Sequence, residues 1–147
     1  EVGLADAADV YASRLSLGMA RRAALARAFV TEPCLLLLDE PFVSLDEPTA
    51  QRLRLLLLDL LERHHTTVLF VTHALQEAVM VADRLVVLAG APARVVSVRN
   101  VRLRPDERRR PAAVDTSRQR LLAEDPALAE LLLPSAPDSL LPEETAT

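Results

Sequence analysis

The arrangement of apolar and polar residues along the chain predicts helices and strands in alternation. Residues 17–31 are rich in alanine, arginine and leucine, which favour helix, and Ser16 precedes them as a capping residue. Residues 34–38 and 67–71 are short, continuous apolar runs. Such runs are typical of strands that are buried on both faces of a parallel sheet.

A second helix is predicted between these two strands, capped by Asp46 and running to about residue 63. Its apolar face is formed by five leucines: Leu53, Leu56, Leu57, Leu60 and Leu61. A short helix over residues 75–82 and a third strand over residues 84–88 follow. The order strand, helix, strand, helix, strand predicts an α/β fold built on a parallel sheet.

The pattern changes after Gly90. Residues 94–103 alternate between polar and apolar, which is typical of an exposed strand pair or of one long edge strand. Residues 104–111 form a charged segment that we interpret as a solvated linker, and a last helix is predicted over residues 116–132. We expect the tail after Pro134 to be disordered.

Composition narrows the class of protein. Half of the residues are hydrophobic but only 3% are aromatic, so the core must be built from leucine, valine and alanine. The net charge of −4 argues against non-specific nucleic-acid binding, and no apolar run approaches the about 20 residues that span a bilayer. The single cysteine, Cys34, excludes a disulfide within the chain.

Polar side chains follow two neighbouring strands of the predicted sheet. Asp39 and Glu40 end the first apolar run, and His73 follows the second. Ligands of parallel sheets bind beyond the carboxyl ends of the strands, where an Asp can hold Mg²⁺ and a Glu can act as a base. The alternatives are two surface acids at a strand end and a structural histidine. A zinc site is not expected, because His64 and His65 lie at a helix end.

Two further features allow a chemical interpretation. Ser16 and Gly18 begin an arginine-rich helix, and the free N–H groups of such a start can bind an anion. The run Arg108–Arg110 can be read as a patch for phospholipid or nucleic acid. Because acids precede the run and Pro111 follows it, we prefer the solvated linker.

Four short motifs occur in an order that resembles the ATPase domain of ABC transporters. They are LSLGM at residues 15–19, LLLLDEP at residues 35–41, SLD at residues 44–46 and VTH at residues 71–73. In that family the signature motif, the Walker B strand with its catalytic glutamate, the D-loop and the switch histidine follow in this order. The resemblance covers residues 13–90, and LSxGM, DEPF and GAPARVV are similar to the nitrate, sulfonate and taurine importers.

The resemblance implies a fold and two parts of the chain. The fold would be the parallel-sheet core of a P-loop NTPase, the ABC ATPase type, lacking its N-terminal part. Residues 1–103 would form this partial ATPase domain, and residues 104–147 a linker, a helix and a tail. A P-loop requires G-x-x-x-x-G-K-[ST], whereas the sequence has three glycines and no lysine. We therefore expect the Walker A motif to lie upstream, and this chain alone to be inactive.

The resemblance also implies roles for individual residues. Asp39 would hold Mg²⁺, Glu40 would be the general base, and His73 would contact the γ-phosphate of ATP. Residues that bind ATP across the interface with a second subunit would be the following: Ser16, Gly18, Met19, Ser44 and Asp46. The family usually has glycine where this chain has Leu17.

Partners and location follow from the resemblance in the same way. Two ATP-binding subunits would form a head-to-tail dimer around two ATP molecules and act on transmembrane permease subunits. The protein would lie peripherally on the cytoplasmic face of the inner membrane, couple ATP hydrolysis to solute uptake and bind no nucleic acid. The alternatives are a degenerate, catalytically silent module that acts in dimerisation or regulation, and an ABC ATPase outside transport that works on DNA or ribosomes.

Overall fold

The structure is a computed structural model that describes residues 1–132, so the tail predicted to be disordered lies outside the described residues. Its helices are α1 (Leu17–Phe29), α2 (Glu47–His64), α3 (Leu75–Val81), α4 (Pro111–Glu124) and α5 (Pro126–Leu132). Its strands are β1 (Leu35–Asp39), β2 (Thr67–Val71), β3 (Arg84–Ala89) and β4 (Arg94–Asn100). Each helix and strand predicted before residue 90 is present within two residues of its expected bounds.

β1 and β2 pair in parallel, as predicted, and α2 is the crossover between them. The register runs from Leu35 opposite Thr67 to Asp39 opposite Val71, so the two strands end side by side. The prediction that β3 joins this sheet is wrong for the described residues. β3 pairs instead with β4, antiparallel, in a separate two-stranded sheet, and residues 94–103 contribute one strand rather than a pair.

The α2 helix lies between two apolar clusters. One face carries Ala50, Leu53, Leu57 and Leu60 into a cluster with α1 and β1. Leu58, on another side, joins a cluster formed with α3, β3, α4 and α5. Burying a leucine side chain contributes about 1.5–3 kcal/mol, so this one helix supports both halves of the described fold. Among residues 1–132, no helix is both long and apolar enough to cross a membrane.

The parallel pair is covered on one face only, so the prediction of strands buried on both faces is wrong for the described residues. Leu36 is buried under α1 and α2, but Leu37 is 65% exposed. Leu35, Leu69 and Val71 are also exposed, and they alternate with the inward-facing residues of their strands. The apolar run that suggested two-sided burial therefore has an uncovered face in this chain.

The predicted C-terminal helix is divided in two. It begins at Pro111, five residues earlier than expected, and stops at Asp125, where Pro126 follows. A residue that precedes proline avoids helical dihedrals, and Asp125 is extended with φ −135° and ψ 91°. Its carboxylate accepts hydrogen bonds from Ser97 on β4 and from the N–H of Leu128. The break therefore fixes α5 against the β3–β4 sheet.

The arginine run before α4 is not a fully solvated linker. Arg108 is buried and donates hydrogen bonds to the carbonyl oxygens of Met80, at 3.2 Å, and Ala82, at 2.9 Å. Its guanidinium also pairs with Asp83. These acceptors lie at the C-terminal end of α3, where carbonyl groups lack helical partners and a cation is favourable. Arg108 thus caps α3, and the solvated interpretation was wrong at this position.

Replacing Arg108 with alanine should lower the free energy of unfolding by about 1–3 kcal/mol, because two helix-terminal carbonyls lose their donor. Urea denaturation followed by circular dichroism measures the change. Arg109→Ala is the matched control. Arg109 forms ion pairs with Asp59 and Glu62 near the surface, so its loss should cost less than about 1 kcal/mol. A larger loss for Arg109→Ala than for Arg108→Ala would contradict the cap.

Candidate functional site

The ends of β1 and β2 bring two predicted site segments together. The N–H of Glu40 donates to the carbonyl oxygen of Val71 at 2.9 Å, which continues the parallel ladder one residue beyond Asp39. Glu40 then turns the chain with a positive φ of 44°. Residues other than glycine rarely adopt such dihedrals, and those that do are often found at functional sites. The turn directs the residue after β1 toward the loop after β2.

Glu40 and His73 are in direct contact, as expected if both act on one phosphate. Oε1 of Glu40 accepts a hydrogen bond from the backbone N–H of His73 at 3.0 Å and lies 2.7 Å from His73 Nδ1. The imidazole is 78% exposed, so the pair is open to a ligand. The hydrogen bond to Glu40 and the negative charge of Glu40 raise the pKa of His73 above its ordinary value.

Asp39 lies beside this pair but points elsewhere. It is exposed, and it follows Leu35 and Leu37 in the strand alternation, which places it on the uncovered face of the sheet. Its carboxylate makes no hydrogen bond or ion pair with any other residue between 1 and 132. A carboxylate with open oxygens is the donor that Mg²⁺ prefers, and Mg²⁺ takes one or two such ligands with water and phosphate completing its shell. Asp39 can supply one such ligand, and residues 1–132 contain no group of three or more His, Cys, Asp or Glu side chains that could hold a metal ion.

The loop between Glu40 and α2 holds the two predicted D-loop residues. Ser44 has a positive φ of 67°, a second left-handed residue within five positions. Asp46 caps α2, because its Oδ2 accepts the N–H of Thr49 at 3.0 Å. The hydrogen bonds from Thr49 hold the pKa of the Asp46 carboxyl below its ordinary value. The loop thus ends in a fixed carboxylate at the start of a long helix.

The start of α1 packs against the start of α2. Ser16 caps α1 by accepting the N–H of Met19 at 3.3 Å. A Cβ added to Gly18 would lie 2.9 Å from Cγ2 of Thr49, so glycine is needed here for close approach rather than for its dihedral freedom. Leu17 is 49% exposed and faces outward. The signature residues and the Asp46 loop therefore share one surface.

Sequence reasoning missed the residue that links these segments. Arg54 is buried on α2 and pairs with Glu47 in the first turn of α2 and with Glu77 on α3. Arg54 and Glu77 are 23 residues apart, and neither belongs to the four motifs LSLGM, LLLLDEP, SLD and VTH. The available signal was weak: an arginine directly after Leu53, within the apolar part of α2.

Comparison with known proteins identifies relatives of the chain. Residues 1–43 match the family described as ABC transporter. The chain is 50% identical over 112 residues to the aliphatic sulfonates import ATP-binding protein SsuB 2 of Burkholderia lata, covering 76% of this chain and 41% of that protein. It is also 50% identical over 124 residues to the SsuB protein of Mycobacterium sp., covering 84% of this chain and 50% of that protein.

A third relative is also a sulfonate-import ATP-binding protein. The SsuB 2 protein of Pseudomonas savastanoi pv. phaseolicola is 52% identical over 89 residues, covering 60% of this chain and 33% of that protein. The predicted resemblance to the ATP-binding subunits of ABC importers is thereby confirmed. The chain spans half or less of the length of these relatives.

Gly18→Ala should lower the free energy of unfolding by on the order of 1 kcal/mol. The added methyl group overpacks the contact with Thr49, which typically costs about 1–3 kcal/mol, while helix propensity returns about 0.5–1 kcal/mol. Thr49→Ser removes Cγ2, so Gly18→Ala should be neutral or stabilising in that background. Chemical denaturation of the four proteins of this cycle measures the coupling. Equal costs in both backgrounds would contradict the contact.

Glu40→Gln should lower the pKa of His73 toward its ordinary value, because the variant removes the acceptor's negative charge. Titration of the imidazole protons by NMR measures the pKa. Since folding raises this pKa, the pair stabilises the protein fully below the ordinary value, and the stabilisation is lost as pH rises through the folded value. The stability difference between the two proteins should therefore shrink as pH rises from the ordinary value of 6.5 through the folded value.

The same change at Glu124 on α4, where the carboxylate pairs with Arg120, is the control. It should leave the His73 midpoint in place. A His73 midpoint that does not move in Glu40→Gln would contradict the contact.

Proposed function

Because this chain resembles the ATP-binding proteins of ABC transporters, we propose that it supplies the signature, Walker B, D-loop and switch segments of an ATP-hydrolysing importer subunit. The proposed fold of the whole ATPase core is that of a P-loop NTPase. One observation carries the proposal: Glu40 and His73 meet at 2.7 Å where two adjacent parallel strands end. In sheets of this kind ligands bind at that edge.

Glu40 is proposed as the general base. Its contacts with His73 both use Oε1, so Oε2 stays open to an attacking water among the described residues. The exposed imidazole of His73 reaches outward to a γ-phosphate while Glu40 orients it. Asp39 would hold Mg²⁺, which would supply charge neutralisation at the transferring phosphoryl group. Positioning and electrostatics carry most of the catalysis in reactions of this type.

The signature helix and the Asp46 loop are proposed to face a second subunit. Ser16 presents the capped start of α1, whose free N–H groups favour an anion. Gly18 and Met19 continue this surface, and Ser44 and Asp46 adjoin it through the contact between Gly18 and Thr49. A head-to-tail dimer would place this surface on the ATP held by the partner.

The transport role rests on the relatives. The SsuB proteins are named for import of aliphatic sulfonates and for ATP binding. We propose the same coupling here, with transmembrane permease subunits as partners and a peripheral location on the cytoplasmic face of the inner membrane. The transported solute would come from the group of nitrate, sulfonates and taurine.

A catalytically silent module that dimerises is the second candidate. Leu17 favours it, because the exposed side chain stands on the surface proposed to meet ATP. The sequence of 147 residues, which has no lysine and no G-x-x-x-x-G-K-[ST], also favours it for this chain alone. The intact pair of Glu40 and His73 opposes it.

The test joins these residues to the Walker A segment of a sulfonate-import relative. The joined protein should hydrolyse ATP, and Glu40→Gln should reduce the rate by about 100-fold or more because the base is lost. The variant should also accumulate as an ATP-bound dimer. Phosphate release and size-exclusion chromatography measure the two effects.

Glu124→Gln is the matched control, since it makes the same change on α4, where Glu124 pairs only with Arg120 among the described residues. It should leave the rate unchanged. A joined protein that binds ATP without turnover would support the silent module. Hydrolysis at the full rate in Glu40→Gln would show that another group is the base.

A further inference from the structure

Arg54 is a buried cation with three acceptors. It is 7% exposed, and its guanidinium donates to Glu47 at 2.8 Å and 3.2 Å, to Gln51 at 3.1 Å and to Glu77 at 3.1 Å. Glu47 directly follows the capping residue Asp46, whereas Glu77 lies on α3. One side chain therefore ties the end of the Asp46 loop to the helix that follows His73.

Two further hydrogen bonds connect Glu77 to the turn that contains His73. The second carboxylate oxygen of Glu77 accepts the hydroxyl of Thr72 at 2.9 Å, and that hydroxyl accepts the N–H of Ala74 at 3.1 Å. Thr72 and Ala74 flank His73 on both sides. The side chain of Glu77 is 12% exposed, so it depends on Arg54 for its balancing charge.

Arg54 also contacts the segment after Glu40. Its guanidinium lies 5.6 Å from the ring centroid of Phe42, within the range of a cation–π contact. Phe42 lies two residues after Glu40 and is buried, with its ring against that of Phe70 on β2. The guanidinium thus touches all three segments that position Glu40, Asp46 and His73.

We propose that Arg54 is a positioning residue that holds the switch-histidine turn, the Asp46 loop and the segment after Glu40 in one arrangement. Its contribution to catalysis rests on the proposed function, but the arrangement itself does not. Arginine suits this task because its planar fork offers five donors in fixed directions, so it can serve acceptors on two helices at once.

Stability alone does not account for Arg54. Its Nε is buried without a hydrogen-bond partner among the described residues, which is unfavourable. Replacing a whole buried ion pair by apolar side chains of similar volume is often neutral or stabilising, whereas removing one partner leaves the other charge uncompensated and is destabilising. Arg54→Met alone leaves the Glu77 carboxylate without its balancing charge, so global stability does not separate a structural Arg54 from a positioning Arg54. Local readouts at the His73 turn in the folded protein do separate them, and the double variant Arg54→Met, Glu77→Gln removes both charges if the single variant does not fold.

The experiment uses the 147-residue chain and the variant Arg54→Met, which keeps the apolar stem of the side chain. Arg52→Met makes the same change at an exposed neighbour on α2 and is the control. Amide hydrogen exchange, followed by NMR under conditions where all proteins are folded, reports local opening. We expect about tenfold faster exchange at Ala74 in Arg54→Met, since its acceptor Thr72 loses support, and no change in the control.

The pKa of His73 is the second readout. It should rise if Arg54→Met only removes a positive charge, and fall if the variant loosens the turn. The charged groups that face His73 are Glu40 after β1 and Glu77 on α3. Removing the positive charge of Arg54 without movement would raise the pKa of His73. Loosening the turn would weaken the contact with Glu40 and lower that pKa, which is the result we expect.

The double variant Arg54→Met, Thr72→Val tests whether the two residues act together. Its exchange rate at Ala74 should be close to that of either single variant, because both substitutions break the same chain of hydrogen bonds from Arg54 through Glu77 to Thr72.

Each outcome bears on the proposal. Faster exchange at Ala74 with a lowered His73 midpoint supports it, and unchanged exchange or a raised midpoint overturns it. In the joined ATPase, Arg54→Met should lower kcat several-fold and leave KM within about twofold, whereas Arg54→Lys should restore part of the rate. If the joined protein does not hydrolyse ATP while the exchange results hold, the proposed function fails and the role of Arg54 in positioning stands.

Discussion

The pairing of β1 with β2 is the constraint on which the site depends. Asp39 lies opposite Val71, and the N–H of Glu40 extends the ladder to the carbonyl of Val71. A shift of one residue in this register would move every side chain of the strand to the other face. Glu40 would then leave His73, whereas the backbone bond at 3.0 Å and the ring contact at 2.7 Å require both residues in place.

The register is itself fixed by α2. Leu57 is fully buried, and its neighbours on the same helix face pack on α1 and β1, while Leu58 packs on the cluster that includes α3. The helix therefore sets the distance between the strand that carries Glu40 and the helix that follows His73. Arg54 lies on the same helix and forms ion pairs with Glu47, next to the Asp46 loop, and with Glu77, on the helix after His73. A rigid helix is a better mount for such bonds than a loop.

Much of the site was predictable because its signals are local. Ser16 and Asp46 cap the helices they precede, and Glu40 and His73 follow apolar runs that do form parallel strands. The predictions failed for two different reasons. Arg108 is buried because α3 ends where the arginine run returns to it, and this contact between distant residues leaves no trace in sequence spacing. The break at Asp125 has a local signal, Pro126, which the apolar pattern over residues 116–132 outweighed in the prediction.

The sequence by itself determined the order of helices and strands, their caps and the residue types at the strand ends, since each of these depends on neighbours a few positions away. The tertiary structure alone decided that Glu40 touches His73, that Gly18 needs to be small beside Thr49, and that Arg54 connects three segments. It also decided that Leu37 is exposed, because an apolar side chain is buried only where another element covers it. Propensity acts within one segment, whereas burial and charge pairing depend on which segments meet.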